Sequence, residues 1–243
     1  MVIERNFILS RTLRVILDDA ALASALKEKK HAYITGLSYD GDLTGSDASI
    51  AKKTKQTIVI EPDAMTDEEI IASFRDTTRN EVRRTFTIPE LSFVLPDANH
   101  EEAVNLYSEF EEMGARPPRR AEYFRESLFA GAYWKRKLIA SIICYDAKPV
   151  LRVNAIVSVR KDASEISKHV SFATRRLIFE LIRYARDHGY RQIDLGGINT
   201  TDESKKGITA FKMSFGGMTR EEYTYTYKNS LFRYVTSFFY KGR

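Results

Sequence analysis

Apolar residues recur along the chain with two spacings, every second position and roughly every 3.6 positions, and together these predict a mixed α/β protein. Near the start, "RVILDD" reads as a strand, "AALASALKEKK" as a helix and "HAYITGLSY" as a strand, before the loop "DGDLTGSDAS". "QTIVIEP" is a strand stopped by Pro62, and "MTDEEIIASFRDTTRNEVRRTF" is a helix capped by Thr66, with Glu69 completing a capping box. "HEEAVNLYSEFEEMG" and "RRAEYFRESLFAGA" read as two further helices, parted by the prolines of "ARPPRR". "YWKRKLIASIICYDAKPVLRVNAIVSVRKD" gives two long strands joined at "DAKP", an antiparallel hairpin. In "SFATRRLIFELIRYARDHGY" an apolar helical stripe runs through Ala173, Leu177, Leu181 and Ala185, while Arg175, Arg176, Glu180, Arg183 and Arg186 lie largely away from it. "RQIDLGG" follows as a short strand, "SKKGITAFKMSF" as a short helix, and "TREEYTYTYK" as a strand with Tyr223, Tyr225 and Tyr227 on one side.

Residues 1–55 carry the weakest signals and are expected to pack on a main domain of residues 56–243, in which one long helix crosses a sheet between a hairpin and a following strand. The closing "NSLFRYVTSFFYKGR" reads as an aromatic, basic helix docked on the body, with peripheral membrane contact as the alternative.

Composition narrows the chemistry. The 43% hydrophobic and 12% aromatic content of 243 residues supports a sizeable core. No apolar run approaches the ~18 residues of a membrane span and charges interrupt the N-terminus, so a cytoplasmic protein without a transmembrane segment is expected. Cys144 stands alone in a strand-like run, which fits a small buried hydrophobe. Four scattered histidines and one cysteine make neither a disulfide nor a metal cluster, and no metal or cofactor is expected. The net charge of +5 is a mild bias toward anionic partners. No Gly-x-Gly occurs, so the dinucleotide and kinase glycine loops are absent, as is the Walker pattern.

Candidate chemistry gathers near the end of "RQIDLGG". Asp194 is placed near the C-terminal end of its strand, and Gly196 and Gly197 permit a sharp turn or close approach to a ligand. On the next helix Ile208, Phe211 and Phe215 form the expected inward stripe, with Lys205 and Lys212 side by side just beyond its rim. An ammonium there would hold a phosphate, or the oxyanion formed when an amine attacks an activated carbonyl; Asp194 would accept a proton or orient the lysine. Arg75, Arg79 and Arg83 recur every four residues and share a face, either solvated or phosphate-contacting. Tyr145 and Asn154, on the two hairpin strands, complete the substrate-binding candidates.

From about Thr57 to Met218 the chain resembles the Fem-type peptidoglycan-bridge aminoacyltransferases and their single-domain relatives in the GNAT acyltransferase superfamily. The resemblance rests on "SFATRRLIFELIRYARDHGYRQIDLGGI" followed by "GITAFKMSFGG", with the basic helix of Arg79 and Arg83 upstream. It implies a GNAT-like fold, an aminoacyl-tRNA donor, an amine acceptor on a nucleotide- or lipid-linked cell-wall precursor, no metal, and a role for Lys212 at the tRNA end or the reacting carbonyl. Bridge-forming members are longer and usually carry two such domains. The glycine-rich entry that holds acyl-CoA pyrophosphate in other GNAT proteins is missing from "SKHVSFATRR". An acyl-CoA or acyl-carrier-protein donor is the alternative enzyme; a non-catalytic module holding an anion through Arg79, Arg83 and "ARPPRR" is the alternative outside catalysis.

Overall fold

Residues 1–7, 10–45, 47–159 and 165–234 are described by the computed structural model, and the expected strands and helices form there with instructive exceptions. In chain order the strands are β1 (Val2–Phe7), β2 (Ser10–Ile16), β3 (Tyr33–Ser38), β4 (Ile50–Ile60), β5 (Leu91–Val94), β6 (Ser127–Trp134), β7 (Lys137–Ala147), β8 (Val150–Ser158), β9 (Gln192–Ile198) and β10 (Met218–Lys228). The helices are α1 (Asp19–Glu28), α2 (Asp67–Ser73), α3 (Asp76–Thr85), α4 (His100–Met113), α5 (Glu165–Asp187) and α6 (Lys206–Met213). They fall into two units. One comprises Met1–Thr57, Gly197–Asn199 and Thr219–Arg243; the other comprises Ile58–Gly196 and Thr200–Met218.

In the first unit the strand order is β1-β2-β3-β10, with β2 and β3 parallel and the other neighbours antiparallel. Parallel neighbours need a crossover, and α1 supplies it. The Asp18 carboxylate caps α1 by accepting from the Ala21 amide at 3.1 Å. Leu22 and Leu26 then pack on Leu13, Val15, Ile34 and Tyr225. Because strand side chains alternate, those residues mark one sheet face as the α1 face and assign the intervening residues to the other.

In the second unit the order is β9-β8-β7-β6-β5, antiparallel except for β8 and β9. β7 is buried at every position from Leu138 to Tyr145 because α4 and α5 both pack on it. Ala103, Leu106 and Tyr107 of α4 meet Phe129, Leu138, Ile143 and Val157 of the sheet. The expected α5 stripe is fully buried. Arg176, expected away from that stripe, is buried as well, because α3 also packs on α5. Its guanidinium lies 3.5 Å from the Phe86 ring centroid and pairs with Glu180. Burial lowers the pKa of Arg176, and the neighbouring Glu180 carboxylate opposes the shift.

Two expected helices are corrected. "RRAEYFRESLFAGA" forms a 3-10 turn, Ala121–Phe124, and then β6. Flanked by β5 and β7 and buried on both faces, β6 has no polar side to show a period of two. The single helix from Met65 to Phe86 is two, α2 and α3, broken where Phe74 takes extended backbone and buries its ring against Phe179 and Phe215. The capping box of Thr66 and Glu69 forms as expected.

Candidate active site

The site is built where β8 and β9 part company. Their parallel ladder runs from Val150↔Gln192 to Arg152↔Asp194, and within this unit it is not continued at Val153 or Leu195. At the last rung the Arg152 guanidinium pairs with the Asp194 carboxylate. Asp194 is wholly buried, and its other oxygen accepts from the Gly196 amide at 2.8 Å. A carboxylate so engaged is a fixed charge that shapes the strand end.

Immediately after it, Gly196 takes φ +86°. A Cβ built there would stand 3.1 Å from the Lys212 ammonium and 3.2 Å from the Val153 carbonyl oxygen. The bare glycine therefore lets Lys212 lie directly over the backbone at the fork. Lys212 belongs to the last turn of α6, and the end of that helix is fastened down. The Ser214 carbonyl accepts from the Arg75 amide at 2.9 Å, and the Thr78 hydroxyl donates to Ser214 Oγ at 2.8 Å. The following Gly216 and Gly217 both take positive φ, and a Cβ on Gly217 would fall 2.5 Å from the Val59 carbonyl oxygen. This second glycine pair is a packing requirement that fixes where α6 ends.

Beside the fork, β8 carries a bulge. Cys144 pairs with Val153 and Ile143 with Ala155, which leaves Asn154 as the extra residue. The Asn154 carbonyl accepts from Arg119 at 3.3 Å, and its buried Nδ2 has no partner among the described residues. Arg119 lies 4.3 Å from the Tyr123 ring centroid, and the Tyr145 and Tyr123 hydroxyls are 3.3 Å apart. Tyr145 is Arg152's neighbour across the β7–β8 ladder. Side-chain contacts therefore run from Asn154 through Arg119 and Tyr123 to Tyr145, which stands opposite Arg152 in the ladder.

Phe211, one residue before Lys212, opens on a cavity of about 270 Å³ walled also by Phe110, Val159, Val170, Ser171 and Arg175. The Arg175 guanidinium stands 5.4 Å from the Phe211 ring centroid and pairs with Glu81 at 3.0 Å, so this cation of the cavity wall has its charge matched.

The remaining expected residues are dispersed. Arg79 folds back on its own helix, donating to the Phe74 carbonyl at 3.0 Å and pairing with Asp76, while Arg83 is exposed. Lys205 precedes α6 and pairs with Asp202 at 3.0 Å, away from Lys212's turn. Ile208, expected inward, is 46% exposed, and Thr209 is the buried member of α6. Gly197 falls in the first unit, where a Cβ would stand 3.1 Å from the buried Glu222 carboxylate. Cys144 is fully buried and burial pushes its thiol pKa well up, which suits a hydrophobe and not a nucleophile. Arg152 and Arg175 were missed. A lone arginine inside the apolar run "VLRVNAIV" was the available signal, since a buried guanidinium demands a carboxylate.

Residues 169–236, which carry most of α5 and all of β9, α6 and β10, match the FemAB family. No curated protein matches the chain by sequence. Among solved structures, FemX superposes with a TM-score of 0.63 at 13% identity, covering 97% of this chain and 85% of that one. The C-terminal domain of a putative lysylphosphatidylglycerol synthetase from Agrobacterium fabrum gives 0.58 at 12% identity, covering 97% and 84%. L-PGS from Bacillus licheniformis gives 0.58 at 13%, covering 100% and 86%. The chain is similar in fold to these structures along nearly its whole length, and the FemAB match is confined to the segment that carries Asp194, Gly196 and Lys212.

Proposed function

We propose that the protein is an aminoacyltransferase of Fem-like, GNAT-type fold that moves an aminoacyl group from aminoacyl-tRNA to a primary amine on a lipid- or nucleotide-linked cell-wall precursor. The observation that supports it is the Lys212 ammonium lying over Gly196 at the β8–β9 fork. In the reaction the amine nitrogen attacks the ester carbonyl, the new C–N bond forms, and the bond to the ribose oxygen breaks. The proton lost by the attacking nitrogen ends on the departing ribose hydroxyl. Lys212 faces the oxygen on which negative charge develops, a contribution worth about 3–4 kcal/mol where single donors have been removed from other enzymes. The Asn154 amide is a second donor beside the fork. Asp194 holds the strand end through Arg152, and Gly196 admits the lysine. The cavity behind Phe211 receives the transferred group. The reaction calls on no metal.

Purified protein is incubated with bulk tRNA charged with labelled amino acids and with either membrane lipid or a nucleotide-linked precursor. Label passing into the amine-bearing fraction is the expected result. No transfer to either acceptor refutes the activity, and transfer from acyl-CoA or acyl carrier protein instead refutes the tRNA donor. The C-terminal segment considered above for membrane contact lies, from residue 235 on, outside the described residues; among the described residues no helix is long and apolar enough to cross a membrane.

A further inference from the structure

The sheet of the first unit has a second face, opposite α1, and its charge is one-sided. Leu13, Val15, Ile34 and Tyr225 point to α1, so Thr12 and Arg14 of β2, Tyr33 and Thr35 of β3, and Thr224, Thr226 and Lys228 of β10 point away. The ladders extend this assignment, since Arg5 is paired with Thr12 and Lys228 with Tyr33. β4 joins the pattern through Lys52, whose ammonium stands 5.6 Å from the ring centroid of Tyr223, a residue of the α1 face. Lys53 and Lys55, of opposite parity to Tyr223's neighbour and both exposed, therefore lie on the second face. That face gathers Arg5, Arg14, Lys53, Lys55, Arg220 and Lys228. Glu222 is the one acidic side chain these strands contribute to it, and Glu222 is buried.

Two of the cations are seated on aromatic rings: Arg220 is 4.0 Å from the Tyr39 centroid and Lys228 5.7 Å from that of Tyr33. The residues from Ala51 to Gln56 are all exposed and include three lysines, yet none of those lysines forms an ion pair among the described residues. Along the strand Lys53 and Lys55 are about 7 Å apart, a spacing that suits successive charges on an extended polyanion. Threonine hydroxyls between the cations offer further donors to phosphate oxygens.

From this arrangement we propose that the second face of the β1-β2-β3-β10 sheet, with Lys53 and Lys55 of β4, binds the phosphodiester backbone of an RNA. The inference rests on the proposed aminoacyl-tRNA donor and supplies that donor's docking surface. Cations interleaved with hydroxyls on a sheet fit a strand whose phosphates need neutralising, while the ring of Tyr33 is already stacked on Phe232 and that of Tyr39 is covered by Arg220, so the contact is to the backbone and not to the bases. An anionic membrane is the competing occupant and becomes an arm of the test.

Binding of unacylated bulk tRNA to the full chain is followed by fluorescence anisotropy across a salt series, for the wild type, Lys53→Gln/Lys55→Gln, and a charge-matched control, Lys27→Gln/Lys30→Gln, in the last turn of α1 and just beyond its end. Losing two phosphate contacts should lower the slope of log K against log salt by about 1.4–1.8 and weaken binding several-fold, with the control unchanged. An unchanged slope in the β4 variant, or an equal fall in the control, overturns the proposal. So does loss of binding to phosphatidylglycerol vesicles with tRNA binding intact. Lysine acetylation of the wild type gives a readout that needs no variant: tRNA should protect Lys53, Lys55 and Lys228 and leave Lys27 reactive, and uniform reactivity overturns the proposal. The two readings fail separately. Lost tRNA binding without aminoacyl transfer by the wild type keeps this surface and removes the activity; intact tRNA binding in the β4 variant with normal transfer removes the surface and keeps the activity.

Discussion

Replacing Asp194 by asparagine removes one charge of the Arg152–Asp194 pair while hardly changing the volume at its position. Asp194 is fully buried and the Arg152 side chain only 10% exposed, so the guanidinium left behind regains little hydration. Breaking a buried pair from one side costs about 3–5 kcal/mol. Asparagine keeps an oxygen for the Gly196 amide and a neutral acceptor for Arg152, which places the expected loss near the lower end, about 3 kcal/mol. Against a total stability of about 5–15 kcal/mol this is large. Trp134, the only tryptophan, lies on β6 of the same unit, so its fluorescence during urea unfolding reports this unit. Adding Arg152→Met removes the stranded charge, and the double variant should be more stable than the two single losses summed by at least about 1.5 kcal/mol. Single losses below about 1 kcal/mol that simply add would refute the pairing argument. A positioning role also predicts that Asp194→Asn, held well below its unfolding midpoint, keeps the pH profile of transfer; loss of the limb set by a catalytic base would contradict it.

Gly196→Ala introduces a methyl 3.1 Å from the Lys212 ammonium at a φ of +86°, so transfer should fall by more than tenfold while stability falls by about 1–2 kcal/mol in urea. Thr78→Val removes the buried donor to Ser214 Oγ that fastens α6, costing about 1–2 kcal/mol in the same unfolding assay. Cys144, its thiol pKa raised by burial, should resist iodoacetamide at pH 8 until the protein is unfolded, and Cys144→Ala should leave the transfer rate unchanged. The Asp47 carboxyl, hydrogen-bonded by Lys29 and by Ser49, should titrate by NMR near 2 instead of 3.8. A depressed folded value means that this interaction stabilises the first unit above about pH 4 and is lost as pH falls toward 2. Lys29→Ala should return the value upward.

Much of this architecture is legible in the sequence because burial on one side leaves a period. The α5 stripe and the Tyr223, Tyr225, Tyr227 alternation each face a single core, and both were readable. β6 is covered on both faces and β4 from Ala51 to Gln56 on neither, so each lacks the contrast that reveals a strand. The β6–β7 turn uses Lys135 and Arg136, both at positive φ, where a glycine or asparagine would have announced it. At the site, Lys212 and Gly196 could be singled out from local spacing. Arg152 could not be joined to Asp194, because a parallel ladder brings together residues whose separation in sequence carries no signal. The basic face of the first unit was hidden for the same reason: its cations come from β1, β2, β4 and β10, and only the ladders show that they share a side.

The most direct test of the central claim is single-turnover transfer from charged tRNA by Lys212→Met, which keeps the apolar stem and removes the ammonium, alongside a measurement of its folding. If Lys212 faces the developing oxyanion, the rate falls by about 10²–10³ with tRNA binding and unfolding midpoint little changed. A folded variant that transfers at the wild-type rate would contradict the account.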